Sequence, residues 1–395
     1  MNRRRFLRTA AAGATLVSGI PNAFAQGATY DLIIRGGRVI DPSSKLDAIR
    51  DIAIARGRIA AVDSSIAGDA TDTIDARGML VVPGLIDIHT HAARTSEGPG
   101  LVLLDGVTGW IDAGSQGADR IGEIAAVAGA SPQPGRVLVN IGRAGILPDG
   151  DTMDLARADT GALRDAIATH RDVVVGVKAR LSGSVAGDND AEVLRRAQEV
   201  ATSFDMPLMI HMGQSRSPLP RLVDQLKPGD IVTHMFAPPP NSIIDDNGRI
   251  LPEVLAARRR GVWFDVGNGR NGHMRWDIVE RVMQAGFWPD TFSTDWNVES
   301  PSTGVVDFPN CMSKLLGYGM TVPQAVTRAT VNASRTFEVF RDRGTLNVGA
   351  VADIALLELR EGNFEFLDNY GNTIPGQQRL FPRGAVLGGR PIPRA

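Results

Sequence analysis

The sequence predicts an α/β fold: a (β/α)8 TIM barrel with a small β-sandwich domain built from its N- and C-terminal flanks. Three observations lead there. Eight apolar, strand-like runs follow one another between Leu80 and Asp295, each followed by a stretch able to form a helix. Before and after that series the chain changes to short alternating runs separated by Gly and Asp turns. Within the series, Val173-Val174-Val175 is continuously apolar, as a parallel strand covered on both faces should be. Repeated strand–helix units of this kind close into a parallel barrel.

Taken in order, residues 1–25 read as a twin-arginine signal peptide. Arg3-Arg4 forms the pair, Phe6-Leu7 follows it, and Ala23-Phe24-Ala25 resembles a cleavage site after a small-residue apolar stretch. That route exports folded proteins, so a periplasmic location is expected. Residues 26–79 form the N-terminal part of the small β-domain, with Leu32-Ile33-Ile34, Ile52-Ala53-Ile54 and Ile59-Ala60-Ala61-Val62 as strands between glycine turns. Residues 80–343 form the barrel. Its runs are Leu80 to Ile88, Gly106 to Asp112, Val137 to Ile141 and Val173 to Ala179, then Pro207 to Met212, Asp230 to Met235, Val262 to Val266 and Thr291 to Asp295. Residues 344–395 complete the small domain, with Ala352-Asp353-Ile354-Ala355-Leu356-Leu357 as the clearest strand. A segment of roughly 50 residues makes a marginal core alone, so the two flanks are expected to fold together.

With 42 basic and 44 acidic residues in 395, the net charge of -2 offers no field for nucleic acid or a membrane surface. No nucleic-acid partner is expected, and no membrane association once the signal is removed. A small-molecule substrate is the expected partner, and assembly into a homo-oligomer stays open. A single cysteine, Cys311, excludes an intramolecular disulfide and is assigned to packing.

Barrel enzymes carry their functional residues at the C-terminal ends of the strands. Four of the six histidines fall at such ends: His89 and His91 after Gly84-Leu85-Ile86-Asp87-Ile88, His211 at the fifth run and His234 at the sixth. Lys178 ends the fourth run and Asp295 the eighth. Strand alternation places residues 87, 89 and 91 on one face and turns Ile86 and Ile88 toward the helices. Neutral imidazoles this close suit a metal ion. Burial lowers a lysine pKa and makes the amine nucleophilic enough to add carbon dioxide, giving a carbamate that can bridge two metals. From spacing alone, a Lys178 reaching out to the barrel rim is an equal alternative.

Together, GLIDIHTH, Lys178 in Val-Gly-Val-Lys-Ala-Arg, His211, His234 and Asp295 in Ser-Thr-Asp-Trp resemble the amidohydrolase superfamily. The branch they resemble is that of the amidohydrolase/deacetylase metallohydrolases, more distantly related to dihydroorotases and isoaspartyl dipeptidases. Ile33-Ile34-Arg35-Gly36-Gly37 and the stretch from Gly344 to Asp353 look like that family's small β-domain. The resemblance implies two divalent metal ions. His89, His91 and Asp295 would hold one and His211 and His234 the other, with carboxylated Lys178 and a hydroxide bridging both. Zinc is the expected ion, although such sites also accept manganese, cobalt or iron. Asp295 is the implied catalytic residue, taking the hydroxide proton and passing it to the leaving group. Asp87 is expected either to orient the ligands or to bond backbone.

The implied activity is hydrolysis of an ester or amide bond, deacetylase-like, in a small anionic acylated substrate. A cyclic amide or lactone hydrolase is the alternative, and a non-catalytic barrel scaffold is a third reading that the complete ligand set disfavours. Dihydroorotases place an arginine two residues after the second histidine. This chain has Ala93 there, with Arg94 one place late and expected to face elsewhere. Hydantoinases and isoaspartyl dipeptidases use a tyrosine, and neither Tyr30, Tyr318 nor Tyr370 is expected at the mouth. The expected substrate contacts are Arg180, which shares strand parity with Lys178 and has a structural salt bridge at the barrel rim as its equal alternative, and His273, in a Gly- and Asn-rich loop after the seventh run. Arg270, Arg275 and Trp296 near the same mouth suggest an anionic, partly apolar substrate, and His170, at a predicted helix end, is expected to favour that helix's dipole.

Overall fold

The computed structural model describes residues 29–270, 272–300 and 307–394. The signal peptide expected at residues 1–25 lies outside them. Five strands open the chain: β1 (Thr29–Asp41), β2 (Leu46–Ala55), β3 (Arg58–Asp63), β4 (Asp69–Asp75) and β5 (Leu80–Pro83). Seven follow in the barrel: β6 (Leu85–Thr90), β7 (Val107–Gly117), β8 (Gly135–Asn140), β9 (Val174–Arg180), β10 (Leu208–His211), β11 (Ile231–Thr233) and β12 (Trp263–Phe264). The last three are β13 (Ile354–Leu367), β14 (Thr373–Leu387) and β15 (Arg390–Pro393).

The two flanks share one mostly antiparallel sheet, in the order β15-β14-β13-β5-β1-β2-β3, with β4 beside β1. Its core joins Leu32, Ile34, Val39, Ile52 and Ile54 of one flank to Ile354, Leu356 and Val386 of the other. Neither flank could bury these side chains without its partner. Leu80–Pro83, expected as the start of the first barrel strand, instead fills the place between the flanks. Val81 pairs with Val39 on one side and Leu356 on the other. The apolar run therefore divides at Gly84, because continuous hydrophobicity marks burial without saying in which sheet.

β6 to β12 pair in sequence order, all parallel. The eighth run closes the ring without becoming a regular strand. Thr291 bridges to Asp265 on one side and Trp296 to Thr90 on the other, with the Asp295 N–H donating to the His89 carbonyl at 2.7 Å. Helices follow the strands on the outside. Asp190–Ser203 is typical, burying Val193, Leu194, Ala197, Val200 and Ala201 as a stripe while Glu192, Arg195, Arg196 and Glu199 pair on its outer face.

Beneath the site, Ile111, Leu138, Met209 and Ile231 form an apolar floor closed by Phe337 and Phe340. Deleting the Phe340 ring would cost about 3–5 kcal/mol in transfer and cavity terms. Ile86 and Ile88, expected to face the helices, belong to this cluster. The pairing register of β6 shifts between Asp87 and Thr90, so simple alternation does not run through it. Among the described residues no helix is long and apolar enough to cross a membrane.

Candidate metal centre

The C-terminal strand ends open into a polar cavity of about 290 Å³, lined by His89, His91, Lys178, His211 and Asp295 with Arg94, Arg180 and His273. His234 lies directly behind, its ring 4.3 Å from that of His211 and 5.0 Å from that of His89. Asp295 Oδ1 sits 3.3 Å from His89 Nε2 and 3.1 Å from His91 Nε2, and Lys178 Nζ is 3.2 Å from His89 Nε2. The six residues expected as ligands thus meet in one place. His234 and Asp295 both adopt left-handed backbone, at φ 64° and 53°. For a residue with a Cβ this costs roughly 1–2 kcal/mol, strain of the kind that collects at functional sites. Glycine matters opposite Lys178: a Cβ on Gly114 (φ 82°) would lie 2.6 Å from the lysine Cβ.

Burial sets the charges. It pushes His89 down to about 3, aided by the neighbouring Lys178, and drives His211 and His234 well below the usual imidazole range, aided by His273. Burial also brings Lys178 down to about 7, so near neutrality much of the amine is uncharged. For Asp295 burial acts upward, but His89 and the surrounding imidazoles outweigh it and hold the carboxyl well below its ordinary value. The result is a carboxylate near the uncharged imidazoles of His89, His211 and His234 and an amine able to lose its proton. His234 Nε2 is buried with no hydrogen-bond partner. The donor atoms of His89, His234 and Asp295 all lie within 4.8 Å of one another, as do those of His211, His234 and His273. Such nitrogen and oxygen donors fit divalent cations of the zinc type.

Two relays that sequence reasoning did not find orient the first histidine pair. His89 Nδ1 lies 2.8 Å from Thr233 Oγ1, and that hydroxyl donates to Asp265 Oδ2 at 2.7 Å. His91 Nδ1 lies 2.7 Å from Ser115 Oγ, which donates to Asp112 Oδ2 at 2.9 Å. With Nδ1 engaged, each ring turns Nε2 toward the centre. Asp265 also accepts from Thr291 at 2.7 Å and Ser293 at 2.5 Å. Asp112 and Asp265 were visible as acids within apolar runs, whereas the hydroxyl links have no sequence signature. Asp87 bonds backbone rather than a ring. It accepts from the N–H groups of His89 (3.1 Å) and Thr294 (3.2 Å) and from the Thr294 hydroxyl (2.5 Å), tying the first run to the eighth, and burial pushes it up to about 8.

At the mouth, Arg180 reaches the cavity but is anchored, donating to Asp151 at 3.0 and 3.3 Å. Asp151 is itself buried and held by Asn140 Nδ2 at 3.0 Å. Arg94 corrects the expectation that it faces elsewhere. The strand stops at Thr90 and a 3-10 turn over Ala92–Arg94 replaces the two-residue alternation, bringing Arg94 to the cavity wall. Arg270 pairs with Glu299, and Arg275 with Asp277 at 2.5 Å beneath the Tyr370 ring. Cys311 is buried, and burial raises its thiol pKa. His273 stands beside Asp295, its Nδ1 3.3 Å from Oδ2, with its ring stacked on His234 at 3.8 Å between centroids.

The sequence profile of the amidohydrolase family matches residues 80–377. The chain belongs to the amidohydrolase family. Among relatives of known name, a deacetylase of Enterococcus faecalis is 30% identical over 370 residues, 91% of this chain and 98% of that protein. The crystal structure of an adenine deaminase is 29% identical with a TM-score of 0.83, covering 92% of this chain and 100% of that one. That of a dihydroorotase is 25% identical with a TM-score of 0.81, covering 92% and 98%. As an amidohydrolase the protein is a metal-dependent hydrolase acting on C–N bonds.

Proposed function

We propose that this amidohydrolase is a binuclear enzyme of the deacetylase type, cleaving the ester or amide bond of a small, anionic acylated substrate. One observation carries the reading: neutral imidazoles, Lys178 and ionised Asp295 converge on a single cavity whose wall also holds Arg180 and Arg94. In this reading His89, His91 and Asp295 hold one cation and His211 and His234 the other, with Lys178, carboxylated, between them. Zinc is the ion we favour. Divalent cations bound there would supply a water acidic enough to lose its proton near neutral pH and would polarise the scissile carbonyl.

The chain's own groups do the rest. Asp295, held ionised, accepts the proton of the attacking water and returns it to the departing oxygen or nitrogen. Arg180, fixed at one edge by Asp151, offers its other edge to a substrate carboxylate. Arg94 on the same wall favours a second reading, a cyclic amide or lactone hydrolase, because it supplies a second cation beside Arg180 to hold the acidic group of a ring substrate. A panel separates the two: N-acetyl and O-acetyl acids against lactones and cyclic imides, each before and after chelation. Metal-dependent turnover of the acyclic set is expected. Turnover confined to rings would select the second reading, and a fully loaded protein inert toward both sets would remove the proposal. The mature enzyme is assigned to the periplasm on the strength of Arg3-Arg4. Replacing both by lysine should leave it in the cytoplasmic fraction, and unchanged fractionation would reject the assignment.

A further inference from the structure

We propose that His273 is a metal ligand, completing with His211 and His234 a three-imidazole site for the second cation; the inference builds on the binuclear reading above. A nitrogen of each ring lies within 4.8 Å of one on each of the others, so one ion can gather them once the His273 ring turns out of its 3.8 Å stack on His234. His234 Nε2 and His273 Nδ1 are both buried without a hydrogen-bond partner, although the His273 atom lies 3.3 Å from Asp295 Oδ2. A buried imidazole nitrogen with no partner at all, as at His234 Nε2, is costly unless something positive occupies the space beside it.

The loop carrying His273 is built to deliver that ring. Gly269 has φ 56°, and a Cβ there would lie 2.0 Å from His273 Nδ1, so only glycine lets the ring come in. Asn369, at the tip of the β13–β14 hairpin, then clamps the loop. Its Oδ1 accepts from the N–H groups of His273 (3.0 Å) and Met274 (2.8 Å), and its Nδ2 donates to the Gly269 carbonyl at 2.9 Å. Its own N–H donates to the Met274 carbonyl at 3.1 Å. A ring needed only for loose contact with substrate would not require so close a fit. Three imidazoles gathered at one place are a strong zinc-binding set.

The test reads metal rather than turnover. Protein stripped by chelation is titrated with zinc in competition with a chromophoric chelator, and the cobalt-loaded form is followed by its visible absorption. The unaltered chain should take up two equivalents. His273→Ala should weaken one of them by about 100-fold or more while sparing the other, and should shift the cobalt bands. His273→Gln, a polar replacement of similar reach, covers the case in which the alanine variant fails to fold. Two equivalents with unaltered affinity and an unaltered cobalt spectrum in the folded variant would overturn the assignment. If the unaltered chain holds only one cation, the binuclear reading falls. The role of His273 is then decided by whether its variant weakens that single ion.

Discussion

His89 and Lys178 sit in barrel strands and His91 and Asp295 at the strand-end positions of the ring, whereas Arg94 and His273 reach the same cavity from a 3-10 turn and a loop beyond those ends. The two sides of the centre are secured differently. On the strand side, Thr233 of β11 with Asp265 just past β12, and Ser115 with Asp112 of β7, lock the rings through hydroxyl relays. On the loop side, the holding contacts come from Asn369, on the other domain's hairpin and 96 residues beyond His273. A ligand whose position follows from sheet register is fixed when the barrel closes. A ligand on a clamped loop is fixed only when a second domain docks, which makes that side the adjustable one.

The largest expected effect tests whether the strand side carries the chemistry. Asp295→Asn keeps the shape and one donor oxygen but removes the proton acceptor. Turnover should fall by about 10²–10⁴-fold while most of the metal is kept. Near-normal kcat in a metal-replete variant would take the role away from Asp295.

A smaller loss is expected one step behind the ligands. Thr233→Val removes the hydroxyl between His89 and Asp265, so the ring loses the partner that orients it and the buried carboxylate loses one of its donors. Metal affinity at the first site should drop by about 10–100-fold, and Thr233→Ser should restore most of it. If Thr233→Val binds metal as tightly as the unaltered protein, the relay is only structural.

Next in size is a pH effect confined to the strand side. Burial sets Lys178 at about 7, well under the usual lysine value. Only the uncharged amine can add carbon dioxide, so that form dominates above pH 7 and shrinks by about tenfold per unit below it. Apo-protein supplied with zinc and bicarbonate should therefore recover activity faster at pH 8 than at pH 6. A recovery rate flat across that range would argue against a carbamate on Lys178.

The same contrast explains what could be read from the sequence. Histidines, a lysine and an aspartate ending apolar runs are conspicuous because burial without a purpose is costly, and the structure gathers all six about one centre. Leu80–Pro83 was unreadable because an apolar run reports burial but not its sheet. Arg94 was misplaced because a parity argument holds only while the chain stays in a strand, and β6 stops at Thr90. Thr233 and Ser115 carry no signal of their own. The clamp on His273 joins parts of the chain too far apart for any local pattern to connect them.

The smallest expected effect falls on that clamp. Asn369→Ala removes the acceptor for two backbone N–H groups and the donor to Gly269, but it leaves the His273 ring in place. A hydrogen bond of this kind contributes about 0.5–1.5 kcal/mol net, so losing three should lower global stability by about 1.5–4.5 kcal/mol. Only part of that loss acts on the ring's position. Zinc affinity at the second site should weaken by a few-fold, and by no more than about tenfold, with the first site unmoved. Thermal melting of the apo form and competitive zinc titration measure the two consequences separately. Lower stability with unaltered affinity would make the hairpin a brace alone. A loss as large as that of His273→Ala would mean that the loop collapses without the hairpin, and that docking of the small domain switches the second site on.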